Sequence, residues 1–110
     1  MLQQLIELEN DFNVSIFQSK VSNIFVLMMN AIMFQDVSRV YASLNDDMRN
    51  KVIDKINKLK KDNLIQLYDE LNVKSVTINN VTILEDRYVA NVILVSRYLD
   101  YRIDSITKKY

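Results

Sequence analysis

The 110-residue sequence contains no cysteine, no histidine, no glycine and no proline. Without cysteine there is no disulfide and no thiolate nucleophile, and without Cys and His together the soft-ligand zinc sites are excluded. The lack of His also removes the imidazole that most often serves acid–base catalysis near neutrality. Without glycine no phosphate-cradling loop can be built. Turns then fall to Asn, Asp and Ser, which tolerate left-handed backbone next best. Excess charge of one sign is missing too: 14 Lys and Arg balance 14 Asp and Glu, so no global field favours nucleic acid. No charged-then-apolar leader follows Met1, which predicts no secretory signal. The most apolar run, residues 24–34, is about half of the ~20 residues that a bilayer span needs, and Asn30 interrupts it. A core helix is expected there, and no transmembrane helix.

What is present is an ordinary globular composition, 49% hydrophobic and 25% charged, in a chain sized for one small core. The organising stretch is Val76 to Ile103, rich in Val, Ile, Thr and Tyr, the types that suit a pleated surface. It predicts two long strands joined by a tight turn at Glu85-Asp86. The second arm, Tyr88 to Val95, is apolar on both faces and so needs cover on both. In the first arm the alternation Val76, Ile78 slips to Val81, Ile83. A β-bulge at Asn79-Asn80 accounts for the slip, with a true turn there as the competing reading.

Everything upstream reads as helix. Leu2, Leu5 and Ile6 predict a short amphipathic helix over residues 2–9, a packing element whose acidic charges do not suit lipid. Phe17, Val21, Phe25, Met28 and Ile32 form the apolar stripe of a second helix. Asp36 can cap a following helix through Val37, Val40, Tyr41 and Leu44. Asn45-Asp46-Asp47 is a start signal for a helix bearing Met48, Val52, Ile56 and Leu59 on one face and closed by Lys58, Lys60 and Lys61. Leu64, Leu67, Tyr68 and Leu71 predict one more short helix before the strands.

Helices first and then a bent hairpin, with several short motifs in a fixed order, resemble the Tim-forty-four-like domain family. That family includes the import tether of the mitochondrial inner membrane, a mitochondrial ribosomal protein and bacterial relatives. The matching residues are Asp11-Phe12 ahead of Phe17, then Phe25 and Ala31 with Asp36 following, and the acidic helix start Asn45-Asp46-Asp47. A sheet entry Leu71-Asn72-Val73 with Val76-Thr77-Ile78 follows, and then Asp100-Tyr101, Asp104 and Thr107. The resemblance spans roughly Asp11 to Thr107. Two features depart from it: Lys108 stands where the family has Gly, and two further strands, often with a Trp, are not seen before Tyr110.

The resemblance implies the cystatin-like, nuclear-transport-factor-two-like α+β fold, with N-terminal helices packed on a curved antiparallel sheet that is here short of its last strands. One domain over residues 1–110 is expected, helical over 1–71 and a β-hairpin over 72–107. The implied function is a non-enzymatic interaction or scaffold domain peripheral to a membrane or to protein-translocation machinery. It would be cytoplasmic or on the inner face of that membrane, with a protein partner or self-association and no favoured nucleic acid. The alternatives are a pocket protein for a small apolar ligand, and an acid–base enzyme using Asp36, Tyr41 and Tyr88.

Candidate sites follow from these readings. Phe25, Met28, Met29, Ile32, Val92 and Leu94 are the candidate apolar binding face, although Met and Phe at helical spacing more often fill a core. Tyr88, Ala90 and Tyr98 are the candidate strand-edge interface, because a short sheet leaves an edge open to pairing. Lys55, Lys58, Lys60 and Lys61 could meet anionic lipid at about 1 kcal/mol each, or RNA as the resembled ribosomal relative implies, but Asp54 and Asp62 dilute the patch and a solvated face is the plainer reading. Asp100, Tyr101 and Asp104 read as structural, since two carboxylates fall short of the 6–8 oxygens that calcium takes. No catalytic residue, cofactor or metal is expected.

Overall fold

In the computed structural model the backbone of residues 2–8 and 13–109 and the side chains of residues 13–109 are described. The elements are β1 (Leu2–Leu8), α1 (Val14–Phe34), two short 3-10 turns (Val37–Arg39 and Tyr41–Ser43), α2 (Asp46–Lys61), β2 (Leu64–Ile83) and β3 (Tyr88–Asp104). The strands form one sheet in the order β1-β3-β2, so the protein is an α+β arrangement with an antiparallel sheet, as expected. The chain divides into two compact units, one of residues 1–23 and 72–97 and the other of residues 24–71 and 98–110. The proposed boundary at residue 71 marks where β2 passes from one unit to the other; the strand itself starts seven residues earlier.

Two predicted helices are strands. Residues 2–8 form β1, antiparallel to β3 from Leu2 opposite Leu94 to Leu8 opposite Tyr88. Seven residues are too few for a stable isolated helix, whereas as a strand they complete the hydrogen bonding of an apolar edge that would otherwise be bare. Residues 64–71 belong to β2. Here α2 ends at Lys61 with Asp62 as its C-cap, the left-handed φ of 57° at Asn63 turns the chain away, and Gln66 and Tyr68 are then buried two residues apart, the period of a strand. Residues 9–12, with the Asp11-Phe12 pair, lie outside the described residues.

The two long helices form where their sequence signals place them. Asn45 is the N-cap of α2, its Oδ1 accepting from the Met48 N–H at 2.9 Å, and Asp46 and Asp47 occupy the first turn. Val52, Ile56 and Leu59 are its buried face, and Lys58, Lys60 and Lys61 lie in its last turn. α1 ends in a paired C-terminal motif: the Gln35 N–H donates to Ile32 O at 3.2 Å and the Asp36 N–H to Ala31 O at 2.9 Å. α1 runs 21 residues, long and apolar enough by length and composition to cross a membrane. It exceeds the 11-residue apolar run because the helix continues back through Ser, Gln and Lys to Val14. Its stripe Phe17, Val21, Phe25, Met28 and Ile32 is buried inside the units, while 39% of its most apolar 18-residue stretch is buried. Asp36 caps as expected, but what it caps is the 3-10 turn Val37–Arg39, which a second at Tyr41–Ser43 follows, rather than an α-helix.

β2 is continuous through Asn79-Asn80, so the competing turn is not formed there. Its left-handed residue is Glu70, with φ of 54°. The hairpin turn falls where predicted, with the Leu84 N–H donating to Arg87 O at 2.8 Å across Glu85-Asp86. In a chain without glycine the left-handed positions among the described residues are Gln35, Asn63, Glu70 and Lys108. Only one of these is of the Asn, Asp or Ser type expected. The other three bear a Cβ that makes this conformation cost about 1–2 kcal/mol, and Lys108 at φ 59° stands where the resembled family has Gly.

Candidate functional site

Within the first unit, Phe17 and Val21 of α1 and Ala90, Val92 and Leu94 of β3 are all buried. Alternate residues of β3 therefore face the core, and Val89, Asn91, Ile93 and Val95 are only half-buried. The expectation that this strand is covered on both faces holds for one face fully and for the other in part. An open cleft of about 620 Å³ lies between the start of α1 (Ser15, Gln18, Ser19, Ser22 and Asn23) and residues 73–76 of β2. Its lining is hydroxyl, amide and the Lys74 ammonium, with Val73 and Val76 as the apolar members, so it is not the apolar pocket that the alternative reading requires. Gln18 Nε2 donates to Val76 O at 3.0 Å, tying α1 to β2. At the hairpin end of this unit every residue from Asn79 to Arg87 is exposed, including Val81, Ile83 and Leu84.

The second unit is built around a buried amide. Gln66 is 1% exposed. Its Nε2 donates to Asp100 Oδ1 and to Tyr101 O at 3.0 Å, and its Oε1 accepts from Arg102 Nε at 2.8 Å. A buried amide costs stability unless both ends are bonded, and here both are. Tyr68 is buried beside it, its ring edge-on to Tyr98 with centroids 5.1 Å apart. Burial, reinforced by the negative charge of Asp100, pushes the Tyr68 phenol up to about 12. Met33 of α1 and Gln35 just past its end meet the start of β2 in this unit: Gln35 Nε2 donates to Leu64 O at 2.8 Å, and the Tyr68 N–H donates to Met33 Sδ at 3.2 Å.

The apolar candidates Phe25, Met28, Met29, Ile32, Val92 and Leu94 are all buried, each within its own unit. They fill cores and offer no open face, because an apolar stripe gains most by removing itself from water. At the candidate strand edge, Tyr88 and Ala90 are opposite Leu8 and Ile6 of β1, so the chain itself occupies that part of the edge. Tyr98 lies beyond the stretch that β1 pairs.

The acid–base candidates are engaged structurally. Asp36 Oδ1 accepts from the Ser38 hydroxyl at 2.6 Å and the Ser38 N–H at 3.0 Å, and these bonds hold its carboxyl below the usual carboxylate value. Tyr41 lies under the Arg49 guanidinium, 4.2 Å from ring centre to charge. Tyr88 belongs to the other unit. Asp104 Oδ1 accepts from the Thr107 N–H at 2.9 Å and the Ile106 N–H at 2.8 Å, which lowers its pKa. Asp100, Tyr101 and Asp104 are thus bonded within the fold where the strand ends. Among the described residues no three acidic side chains gather as a metal site. Lys55, Lys58, Lys60 and Lys61 are all exposed, opposite the buried face of α2.

Sequence reasoning missed Gln66 and the polar cleft. A lone Gln among leucines carries no signal of burial, because its partners are 34 and 36 residues away. The serines at positions 15, 19 and 22 do recur at helical spacing and could have marked a polar face of α1. Fold and geometry together define the class as a small α+β protein with an apolar hairpin end and a buried polar knot. The chain matches no protein-family model, no curated protein and no solved structure.

Proposed function

We propose that this chain is a non-enzymatic interaction domain that docks a protein partner through the end of the β2–β3 hairpin. The observation that carries this reading is the exposure of Val81, Ile83 and Leu84 there, with Ile83 74% exposed. Exposed apolar side chains at the end of a hairpin gain free energy when something covers them. Glu85 and Asp86 at the same turn favour a protein surface over an anionic lipid one. The resemblance to the Tim-forty-four-like family adds a setting for the partner, at the inner face of a membrane or in its translocation machinery, with the domain peripheral to that membrane.

A photo-crosslinking residue placed at Ile83 in living cells tests the proposal. A discrete protein adduct is expected from that position and none from a control at Lys58 on the solvated face of α2. Equal yields from both positions, or adducts to lipid alone, overturn it. A second reading, binding of a small polar ligand, is favoured by the cleft beside Ser19, Ser22 and Lys74. Native mass spectrometry of the purified protein would reveal a bound small molecule if that reading is right.

A further inference from the structure

The open cleft at the start of α1 gathers polar side chains that the fold itself leaves unused. Ser15, Ser19, Ser22 and Asn23 line it from α1, and Lys74 and Ser75 line it from β2. Among the described residues, none of these six side chains takes part in a hydrogen bond or an ion pair. Gln18, the other polar member, is committed to Val76 O. A serine inside a helix can bond back to the carbonyl one turn earlier; Ser19 and Ser22 do not, and their hydroxyls stay available. Elsewhere the polar side chains close the structure: Asn45 caps α2, Gln35 holds the start of β2, and Gln66 centres the polar knot.

We propose that this cleft binds a small anion that also carries hydroxyl groups, the chemistry of a sugar phosphate. The proposal rests on the small-polar-ligand reading and gives that ligand a charge and a class.

The sign of the charge follows from the lining. Among the described residues Lys74 is its one ionisable group, and no carboxylate lines the cleft beside it. An ammonium without a carboxylate partner gains most from a phosphate oxygen, with which its hydrogen bond is charge-assisted. The class follows from the other side chains. Serine hydroxyls and the Asn23 carboxamide both donate and accept, so they match ligand groups that do the same. An aliphatic or aromatic ligand would strip them of water without replacing the lost hydrogen bonds. No aromatic side chain lines the cleft, so a nucleobase finds no stacking partner there. The volume of about 620 Å³ suits a small molecule, since such sites run from about 300 to 1,000 Å³.

Isothermal titration of the full chain with glucose 6-phosphate, glucose and inorganic phosphate, at one ionic strength, tests the proposal. Glucose 6-phosphate is expected to saturate one site, and glucose or phosphate alone to bind at least about tenfold more weakly. Lys74→Gln removes the charge-assisted bond and is expected to weaken binding by about tenfold or more. Ser22→Ala removes one neutral hydroxyl and is expected to weaken it by about threefold. Lys20→Gln, on the same helix but outside the cleft, alters net charge equally and is expected to leave binding unchanged. Circular dichroism checks that each variant is folded.

No saturable binding of glucose 6-phosphate overturns the proposal. So does inorganic phosphate that binds as tightly, full affinity in Lys74→Gln, or an equal loss in Lys20→Gln. Flotation with phosphatidylcholine vesicles carrying phosphatidylinositol 4-phosphate separates two sources of this chemistry. The source is a lipid headgroup if the chain floats and Lys74→Gln does not, and a free sugar phosphate if neither floats. A neutral or cationic molecule found by native mass spectrometry would keep the small-ligand reading and overturn this assignment of charge. Crosslinking from Ile83 reads a different surface, so the hairpin-docking result stands or falls by itself.

Discussion

The two halves of β3 belong to different units and meet different solutions to the same problem. From Tyr88 to Leu94 the strand is paired to β1, and its alternate residues Ala90, Val92 and Leu94 are buried. From Tyr98 to Asp104 it carries a polar knot on one face, through Gln66, Asp100 and Arg102, and leaves Leu99 exposed on the other. In the first half, stability comes from apolar area removed from water. In the second it rests on hydrogen bonds that are specific in direction and modest in net energy. A strand can therefore be apolar core at one end and carry a polar network at the other without changing its secondary structure.

The sharpest way to break the comparison is to shorten a leucine in each half. Leu94→Ala removes a fully buried side chain and is expected to cost about 2–5 kcal/mol. Leu99→Ala, at an exposed position, should stay within about 0.5 kcal/mol. Urea denaturation of both variants at low concentration reads the contrast, and equal losses would mean that the two halves are packed alike. Next in size is the polar knot: Gln66→Leu keeps the bulk but strips Asp100, Tyr101 O and Arg102 of a partner. A loss of about 1–3 kcal/mol is expected by the same measurement; a neutral result would make the knot incidental to stability. Outside β3, Asn45→Ala removes the cap of α2 and should cost about 1 kcal/mol, with helix loss visible by circular dichroism.

The smallest effects are those of pH, and they again separate the carboxylates from the buried phenol. The folded-state pKa of Tyr68 is raised to about 12 from a reference of 10.0. Its contribution is therefore complete below pH 10 and is lost as pH rises from there toward 12. Tyr68→Phe should flatten the alkaline limb of a stability–pH curve. Asp36 and Asp104 have lowered pKa values through their hydrogen bonds to Ser38 and to Thr107 and Ile106. Their contribution is present above the unfolded carboxylate value and lost as pH falls through the folded one. Asp36→Asn and Asp104→Asn should each make the acid limb shallower; an unchanged limb would mean that these turn bonds do not survive in solution.

Where local signals were strong, the fold was legible residue by residue. Asn45-Asp46-Asp47 announced α2, the stripe from Phe17 to Ile32 announced α1, and Glu85-Asp86 announced the hairpin turn. The same stripe also identified its buried side: Phe25 and Met28 are core, the outcome that Met and Phe at helical spacing favour over an open apolar face. The stretches misread as helix, residues 2–8 and 64–71, have apolar positions that satisfy either period. Leu2, Leu5 and Ile6 become a strand because an edge of β3 is there to receive them. Leu64, Leu67 and Tyr68 do so because Gln66 finds Asp100 and Arg102.

By itself the sequence determined what this protein is not built from: no thiol, imidazole or glycine-loop chemistry, and no excess charge of either sign. It also determined the two long helices and the hairpin, because caps, periodicity and turn residues act over three or four positions and need no distant partner. Tertiary structure decided which ambiguous segments became strands, which part of β3 would pair with β1, and that a glutamine would lie at the centre of a polar knot. Those outcomes depend on contacts between residues more than thirty positions apart, and local patterning carries no record of which distant group will supply the missing hydrogen bond.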